Sequence, residues 1–301
     1  RAQTLSAVEL AVQAIDLALE DAGLEHAHVD GLIISKSPVQ TEADGGPGLR
    51  LQHAAGLREL RQLQFIDGEG TSAIQMVQAA ATAVSCGLAR HVACVFADAP
   101  LRQGRKGSQA FGTIKTLEGV RGLRYSSGLF GAPSIFAMAA QRYMALHGVT
   151  REQLGAVALS ARRWAQVNPR AIFRAPLSTA DYLGARMIAD PFGLYDCATP
   201  VDGAICVVVS ARETLADLRQ PPVYILGMGQ GHPGQAAQRH GGAADTAGMA
   251  IAAKHAFAVA GIGAHEIQMA QFYDAFTYLT LAALEGYGFC GEGEGGAFVA
   301  S

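Results

Sequence analysis

The sequence predicts an α/β protein, with helices packed on a parallel or mixed sheet and a chain built from two related halves. Three observations predict it. Helix-period and strand-like segments alternate from the N-terminus. A tight Gly68-Glu69-Gly70 turn leads into a long, alanine-rich apolar segment. A run around residue 18 returns around residue 256 at the same internal spacing, an offset of 238.

Ser6 to Ala22 places apolar residues at helical spacing, and Gly23 is the stop signal. Val29 to Ser35 reads as a buried strand. Gln64 to Asp67 is a short strand running into the glycine turn. Thr71 to Cys86 predicts a helix ended by Gly87. It has no polar face, so it should be buried on most sides. His91 to Ala97 is a further strand.

Pro100 to Arg124 changes character: it is basic, Gly-rich and without periodicity, and reads as an excursion from the sheet. Ser134 to His147 and Arg151 to Val167 are helices. Asn168 to Pro191 is loop-like, interrupted by Pro169, Pro176 and Pro191. Ala204 to Ser210 returns to a continuous buried strand. Pro221 and Pro222 form a short linker, Val223 to Gly227 starts a new strand, and Gly-rich sequence follows to Gly242.

The second part then repeats the first. Ala18-Leu19, Ala22-Gly23-Leu24 and Val29 have counterparts in Ala256-Phe257, Ala260-Gly261-Ile262 and Ile267. Each copy reads helix, Ala-Gly-aliphatic stop, polar turn, strand, which points to duplication. Duplication predicts a second glycine turn and buried helix after Phe298 to Ala300. The sequence stops at Ser301, so the C-terminal part of the second half is expected to be missing.

Composition narrows the class. The chain has 301 residues, 50% of them hydrophobic and 16% charged, with 36 glycines, which suits tightly packed α/β layers and not disorder. Its net charge is −3 and it has no long Lys/Arg block, which argues against a nucleic-acid partner. No run of 18 apolar residues predicts a membrane span. The five cysteines show neither metal spacing nor a disulfide framework, so no metal is expected and a reducing cytoplasm is.

Four segments carry a family resemblance. They are Gly68 to Ala97; Arg174-Ala-Pro-Leu-Ser-Thr-Ala-Asp181 with Arg186-Met-Ile-Ala-Asp-Pro191; Asp196-Cys-Ala-Thr-Pro-Val-Asp-Gly-Ala204; and Phe272-Tyr-Asp-Ala-Phe-Thr277 with Gly288-Phe-Cys-Gly-Glu-Gly-Glu-Gly-Gly296. Across nearly its whole length the chain resembles the thiolase superfamily, in the branch of sterol-carrier-type thiolases and bacterial lipid-transfer proteins. The resemblance implies the thiolase fold: duplicated α/β halves with mixed sheets and buried helices in an α-β-α-β-α layering, plus a loop domain. It implies an N-terminal half over 1–99 and 192–220, a loop domain covering coenzyme A over 100–191, and an incomplete C-terminal half over 221–301.

The resemblance also marks a departure. Thiolases hold a nucleophilic cysteine in the turn before the buried helix, where helix N–H groups stabilise the thiolate. Counting back from Gly87, that position is Gly70. Thr71 and Ser72 beside it read as helix-capping residues. The asparagine or histidine of the family's strand-end motif is Tyr273 here. The family's Gly-His-Pro histidine and second catalytic cysteine would fall beyond Ser301. Gly231-His232-Pro233 precedes the second-half helix and is not that motif, though His232 could border the cleft.

Without the cysteine the acyl-enzyme route is lost. A pocket that stabilises a thioester enolate can still split a β-hydroxyacyl-CoA by a retro-aldol step, and some lipid-transfer-protein members of the branch act so on steroid side-chain thioesters. Tyr273 is the expected base or proton shuttle, Tyr278 the backup, and Asp274 the residue that orients the loop. Gly70 leaves room and N–H groups for an oxyanion. Arg105, Arg124 and Arg174 are candidates for coenzyme A or substrate contacts, beside Arg102, Lys106 and Arg121. Cys290, in the Gly-rich loop with Glu292 and Glu294, is the candidate displaced nucleophile or substrate contact. The expected activity is therefore an acyl-CoA carbon–carbon lyase. The alternatives are an acyltransferase with a displaced nucleophile and a non-catalytic acyl-CoA-binding scaffold. No cofactor beyond the coenzyme A thioester substrate is expected. A homodimer is, along with a small OB-fold and zinc-ribbon partner protein.

Overall fold

The computed structural model describes residues 5–35, 46–101, 110, 118–234 and 244–301. The chain forms two compact units, Arg1–Thr113 with Thr199–Ile225, and Ile114–Ala198 with Leu226–Ser301.

The first unit is a four-stranded sheet with helices on both faces. Helix α1 (Ala7–Ala22) opens with a capping box, in which Glu9 N–H donates to Ser6 Oγ and Ser6 N–H to Glu9 Oε2. Strands β1 (Gly31–Ser35), β2 (Gln62–Ile66) and β3 (His91–Asp98) run parallel, and β6 (Gly203–Ser210) lies antiparallel on β3. The order is β2-β1-β3-β6. Alternation along the strands splits the core into two layers. Leu32, Ile34, Ala93 and Val95 meet Ile15 and Leu19 of α1 and Leu51 of α2 (Pro47–Ala54). Ile33, Val92 and Cys94 meet Met76 and Ala80 of α3 (Ser72–Ser85) on the other face. The Asp30 carboxylate accepts from the Arg90 and His91 N–H groups at 2.8 and 2.9 Å, joining the entrances of β1 and β3.

Two expectations about burial need correction. Helix α3 buries one stripe, Ser72, Met76, Ala80 and Ala83, while Ile74 on its other side is 67% exposed. Strand β6 is the edge of the sheet, and its outward Ile205 is 70% exposed. An apolar run thus marks a strand here without marking full burial.

In the second unit, α5 (Gly131–His147) and α6 (Arg151–Val167) surround α9 (Thr277–Gly286), after α4 (Gly119–Ser126). Leu279, Leu281, Ala282 and Ala283 of α9 are all buried, and Phe276 stacks on Phe192 with centroids 5.2 Å apart. The stretch read as a loop over 168–191 contains α7 (Thr179–Leu183) and β4 (Met187–Ala189), which pairs with β5 (Phe192–Gly193). Ser178 caps α7 through a box with Asp181, a signal the prolines masked.

The repeat is physical. In sequence, helix α8 (Ala244–Ala260) covers the range that the offset of 238 gives from α1. Gly23 and Gly261 both adopt left-handed φ, 74° and 71°. Leu24 N–H donates to Leu19 O, and its counterpart Ile262 to Phe257 O. The 3₁₀ turns His26–His28 and Ala264–Glu266 are again 238 apart. The segments expected as strands at Val223 and Ile267 are not strands among the described residues. Instead, residues 227–231 lie against α8. A Cβ at Gly227, Gly229 or Gly231 would sit 2.2, 2.1 or 1.8 Å from the carbonyl oxygens of Ala256, Ala252 and Gly248. Glycine at alternate positions is what lets an extended chain approach a helix backbone that closely. Among the described residues no helix is long and apolar enough to cross a membrane, and no group of three or more His, Cys, Asp and Glu could hold a metal.

Candidate active site

In the first unit the β2–α3 connection is a braced, strained turn. Glu69 has φ +51°, in the left-handed region that costs non-glycine residues energy. Its bracing comes from the neighbouring hydroxyls: Thr71 Oγ1 donates to Gly68 O at 2.7 Å and Ser72 Oγ to Glu69 O at 2.8 Å. Ser72 Oγ also accepts from Gly68 N–H at 2.9 Å. Neither side chain caps α3, contrary to the capping expected of them; both hold the turn. Gly70 lies exposed at its crest. The position therefore presents no nucleophile, and both flanking hydroxyls are engaged with backbone carbonyls.

In the second unit, two of the quoted motifs, Asp196 to Ala204 and Phe272 to Thr277, meet on one carboxylate. Asp196, 1% exposed, accepts from Tyr182 Oη at 2.6 Å and from Thr277 Oγ1 at 2.7 Å on one oxygen. Gly193 N–H donates to its other oxygen at 2.8 Å. The Arg151 guanidinium sits 5.5 Å over the Tyr182 ring and brings a positive charge to the cluster. Burial first, then the Asp196 bond, holds the Tyr182 phenol protonated far above its ordinary range. Since Thr277 is the first residue of α9, this network fixes where the Phe272–Phe276 segment ends and the buried helix begins.

At the other end of α9, Glu285 accepts a very short hydrogen bond from Tyr143 Oη and a 2.9 Å bond from Gly295 N–H. It ties α5 to α10 (Gly295–Ala300) across the Gly-rich loop. Burial and the Glu285 bond keep the Tyr143 phenol protonated. Cys290 lies in that loop. Burial, then the carboxylates of Glu285 and Glu294, push its thiol up to about 11. That is the reverse of what an acyl-accepting thiol requires.

The other expected site residues fall in different places. Tyr273, 64% exposed, and Asp274, also exposed, stand together at the mouth of α9. Tyr278 is buried 2% exposed in the core, its ring 5.4 Å from Tyr143. Arg174 donates to Gln166 O at 3.2 Å, at the C-terminal end of α6, and His232 is exposed with Nε2 3.0 Å from Gln230 Oε1. Arg102, Arg105 and Lys106 lie outside the described residues. Arg121 and Arg124 belong to α4, but their side chains are likewise outside them. The sequence reading missed Asp196 and Tyr182 as a pair, and missed Glu285 and Tyr143. Glu285 had a signal, as the one acidic residue in an otherwise apolar helical run.

These features define a class. A family model described as Thiolase, N-terminal domain matches residues 1–188, and one described as Thiolase C-terminal domain-like matches residues 229–301. The chain belongs to the thiolase superfamily. Among individual proteins, it is 34% identical to a 17-hydroxy-3-oxo-4-pregnene-20-carboxyl-CoA lyase of Mycobacterium tuberculosis, over 98% of this chain and 77% of that protein. It is 33% identical to a steroid side-chain-cleaving aldolase of Thermomonospora curvata, over 98% and 76%. A solved structure, the Ltp2-ChsH2(DUF35) aldolase, superposes with a TM-score of 0.86 at 30% identity, covering 99% of this chain and 76% of that one.

Two outcomes are expected. Tyr182→Phe and Thr277→Val should each cost about 1–3 kcal/mol in urea unfolding, since each leaves the buried Asp196 short of a donor. The double variant should depart from additivity by more than about 0.5 kcal/mol, because both donors share one oxygen; additive losses would contradict this. Separately, iodoacetamide alkylation of Cys290, followed by mass spectrometry, should run about a hundredfold below a free thiol at pH 8 and still rise at pH 10. A rate that levels off below pH 9 would mean an activated thiolate.

Proposed function

We propose that this chain is an acyl-CoA carbon–carbon lyase that cleaves a β-hydroxyacyl-CoA by a retro-aldol step. The observation that carries the reading is the turn at Gly70. A thiolase-superfamily protein places its strained turn and helix start there, but offers no thiol and no disengaged hydroxyl. The names of the two proteins cited above, a lyase and an aldolase, support the same chemistry.

In this reading a base takes the proton of the β-hydroxyl. The Cα–Cβ bond breaks, its electron pair enters the thioester to give an enolate, and the hydroxyl carbon leaves as a ketone or aldehyde. The enolate is protonated at Cα and departs as a shorter acyl-CoA. Nothing is added to the protein and no second coenzyme A is consumed. Tyr273 is the group assigned to the hydroxyl proton, with Asp274 orienting the loop. Tyr278, in the core, supports the wall from behind. Gly70 leaves N–H groups for the developing oxyanion. The basic residues between 100 and 191, Arg105 and Arg124 among them, are assigned to coenzyme A, with Arg174 and His232 as further contacts. An acyltransferase working through Cys290 is disfavoured by the raised thiol.

The substrate class is a coenzyme A thioester bearing a β-hydroxyl, with a steroid side chain as the leading acyl group. A homodimer and a small OB-fold, zinc-ribbon partner complete the reading; the solved relative is itself named as a two-protein aldolase.

The test is product analysis with the full-length protein, with and without such a partner. A β-hydroxyacyl-CoA should give a carbonyl compound and a shorter acyl-CoA with no free coenzyme A added. Tyr273→Phe should lower kcat by about 10²- to 10⁴-fold. Cleavage that needs free coenzyme A and is abolished by Cys290→Ala would overturn the proposal.

A further inference from the structure

Helix α6 ends in an arch whose two arms are tied together by arginines. Asn168 N–H donates to Trp164 O at 3.1 Å and closes the helix. The Asn168 side chain accepts from Arg170 N–H at 2.9 Å, and Ala171 N–H donates to Asn168 O at 3.1 Å, so the chain turns at once. Each arm then holds the other. Arg162 Nη1 donates to Ala175 O at 2.9 Å, and Arg174 Nη2 to Gln166 O at 3.2 Å. Arg162 also lies 5.7 Å over the Tyr195 ring. The arch is braced by its own groups.

This braced segment turns large apolar side chains to water. Trp164, Val167, Ile172 and Phe173 are between 56% and 74% exposed. Exposure that high describes a convex surface, because a groove would cover more of each side chain. Trp164 and Val167, three residues apart, share a face of the helix. Arg163 and Arg170, in the same arch, are exposed too. From 153 to 180 the sequence has four arginines and no acidic residue. Clustered exposed apolar side chains of this kind mark contact surfaces.

Charge and shape select the occupant. A second copy docking face to face would bring two arginine-rich arches together, which like charge opposes. A convex apolar tip with arginines fits a flat, deformable surface of negative charge. Tryptophan favours the level of lipid headgroups, where its ring meets hydrocarbon and its N–H stays wet. Arginine pairs with phosphate at the same level. We propose that the 162–174 arch is a peripheral docking site for an anionic lipid bilayer. Trp164, Val167, Ile172 and Phe173 enter the headgroup region, and Arg163 and Arg170 meet lipid phosphates. A surface contact of this kind asks for no spanning helix. The inference does not rest on the lyase reading.

Trp164 is the one tryptophan among the 301 residues, so its fluorescence reports on the arch. The full-length protein is titrated with vesicles of phosphatidylcholine, alone or with about one third phosphatidylglycerol. The mixed vesicles should shift the emission to the blue, and lipid brominated near the top of its chains should quench it. Trp164→Phe should lose both signals while still sedimenting with the vesicles. Affinity should be at least about tenfold lower for phosphatidylcholine alone. It should fall by a similar factor in Arg163→Gln/Arg170→Gln. Phe173→Ser should weaken binding about tenfold. Should its thermal transition show that it fails to fold, Ile172→Ser takes its place with the same expected loss. A folded parent that ignores the mixed vesicles overturns the proposal. So does binding that leaves the emission unquenched or that the arginine variant retains. A blue shift with soluble polyglutamate but not with vesicles would also overturn it, and would assign the arch to an acidic protein.

Discussion

Asp196 accepts three hydrogen bonds: two from nearby in sequence, Tyr182 of α7 and Gly193 of β5, and one from Thr277 at the start of α9, 81 residues away. A carboxylate at 1% exposure is costly to bury, and breaking such a network by removing one member is costlier than the net value of the pair. Those donors and the Arg151 charge are what make its burial tolerable. In return the carboxylate fixes the relative places of α7, β5 and α9. Tyr273 lies four residues before Thr277, where that helix is pinned, so the proposed proton-transfer group stands just upstream of a point held by a buried carboxyl group.

The turn at Gly70 works by a different economy. The strand–turn–helix keeps its strained residue and tight bracing, yet the side chain the architecture could display is absent. Thr71 and Ser72 spend their hydroxyls on Gly68 and Glu69 carbonyls. Cys290, the thiol best placed in sequence to compensate, is pushed the wrong way by burial and by two carboxylates. Polar groups fixed in advance can stabilise an enolate without any covalent bond. Carbon–carbon cleavage therefore remains available to a superfamily member that has given up acyl transfer.

Much of this was legible in the sequence. Helix α1 announced itself through its apolar spacing and Gly23, and the 238-residue offset foretold paired glycine stops and polar turns, which the structure forms as left-handed glycines and 3₁₀ turns. Apolar periodicity found β1, β3, α5 and α6. What it could not see was which faces are covered: α3 read as buried on most sides and β6 as a buried strand because hydrophobicity reports an element's potential to pack, not its neighbours. The Val223 strand failed for a related reason, since strand propensity needs a partner, and here the glycines that follow bring the chain against a helix instead. The Asp196 network was invisible as a network. Asp196 and Thr277 sat inside quoted motifs and Tyr182 just after one, but only tertiary contact shows that the three serve one another.

The central claim is that carbon–carbon cleavage proceeds with no acyl group ever bound to the protein. Intact-mass spectrometry of the full-length protein, acid-quenched at several times during turnover of a β-hydroxyacyl-CoA, tests it most directly. The protein should keep its unmodified mass at every time while a carbonyl product and a shorter acyl-CoA accumulate. A transient mass increase equal to an acyl group, on Cys290 or any other side chain, would contradict it.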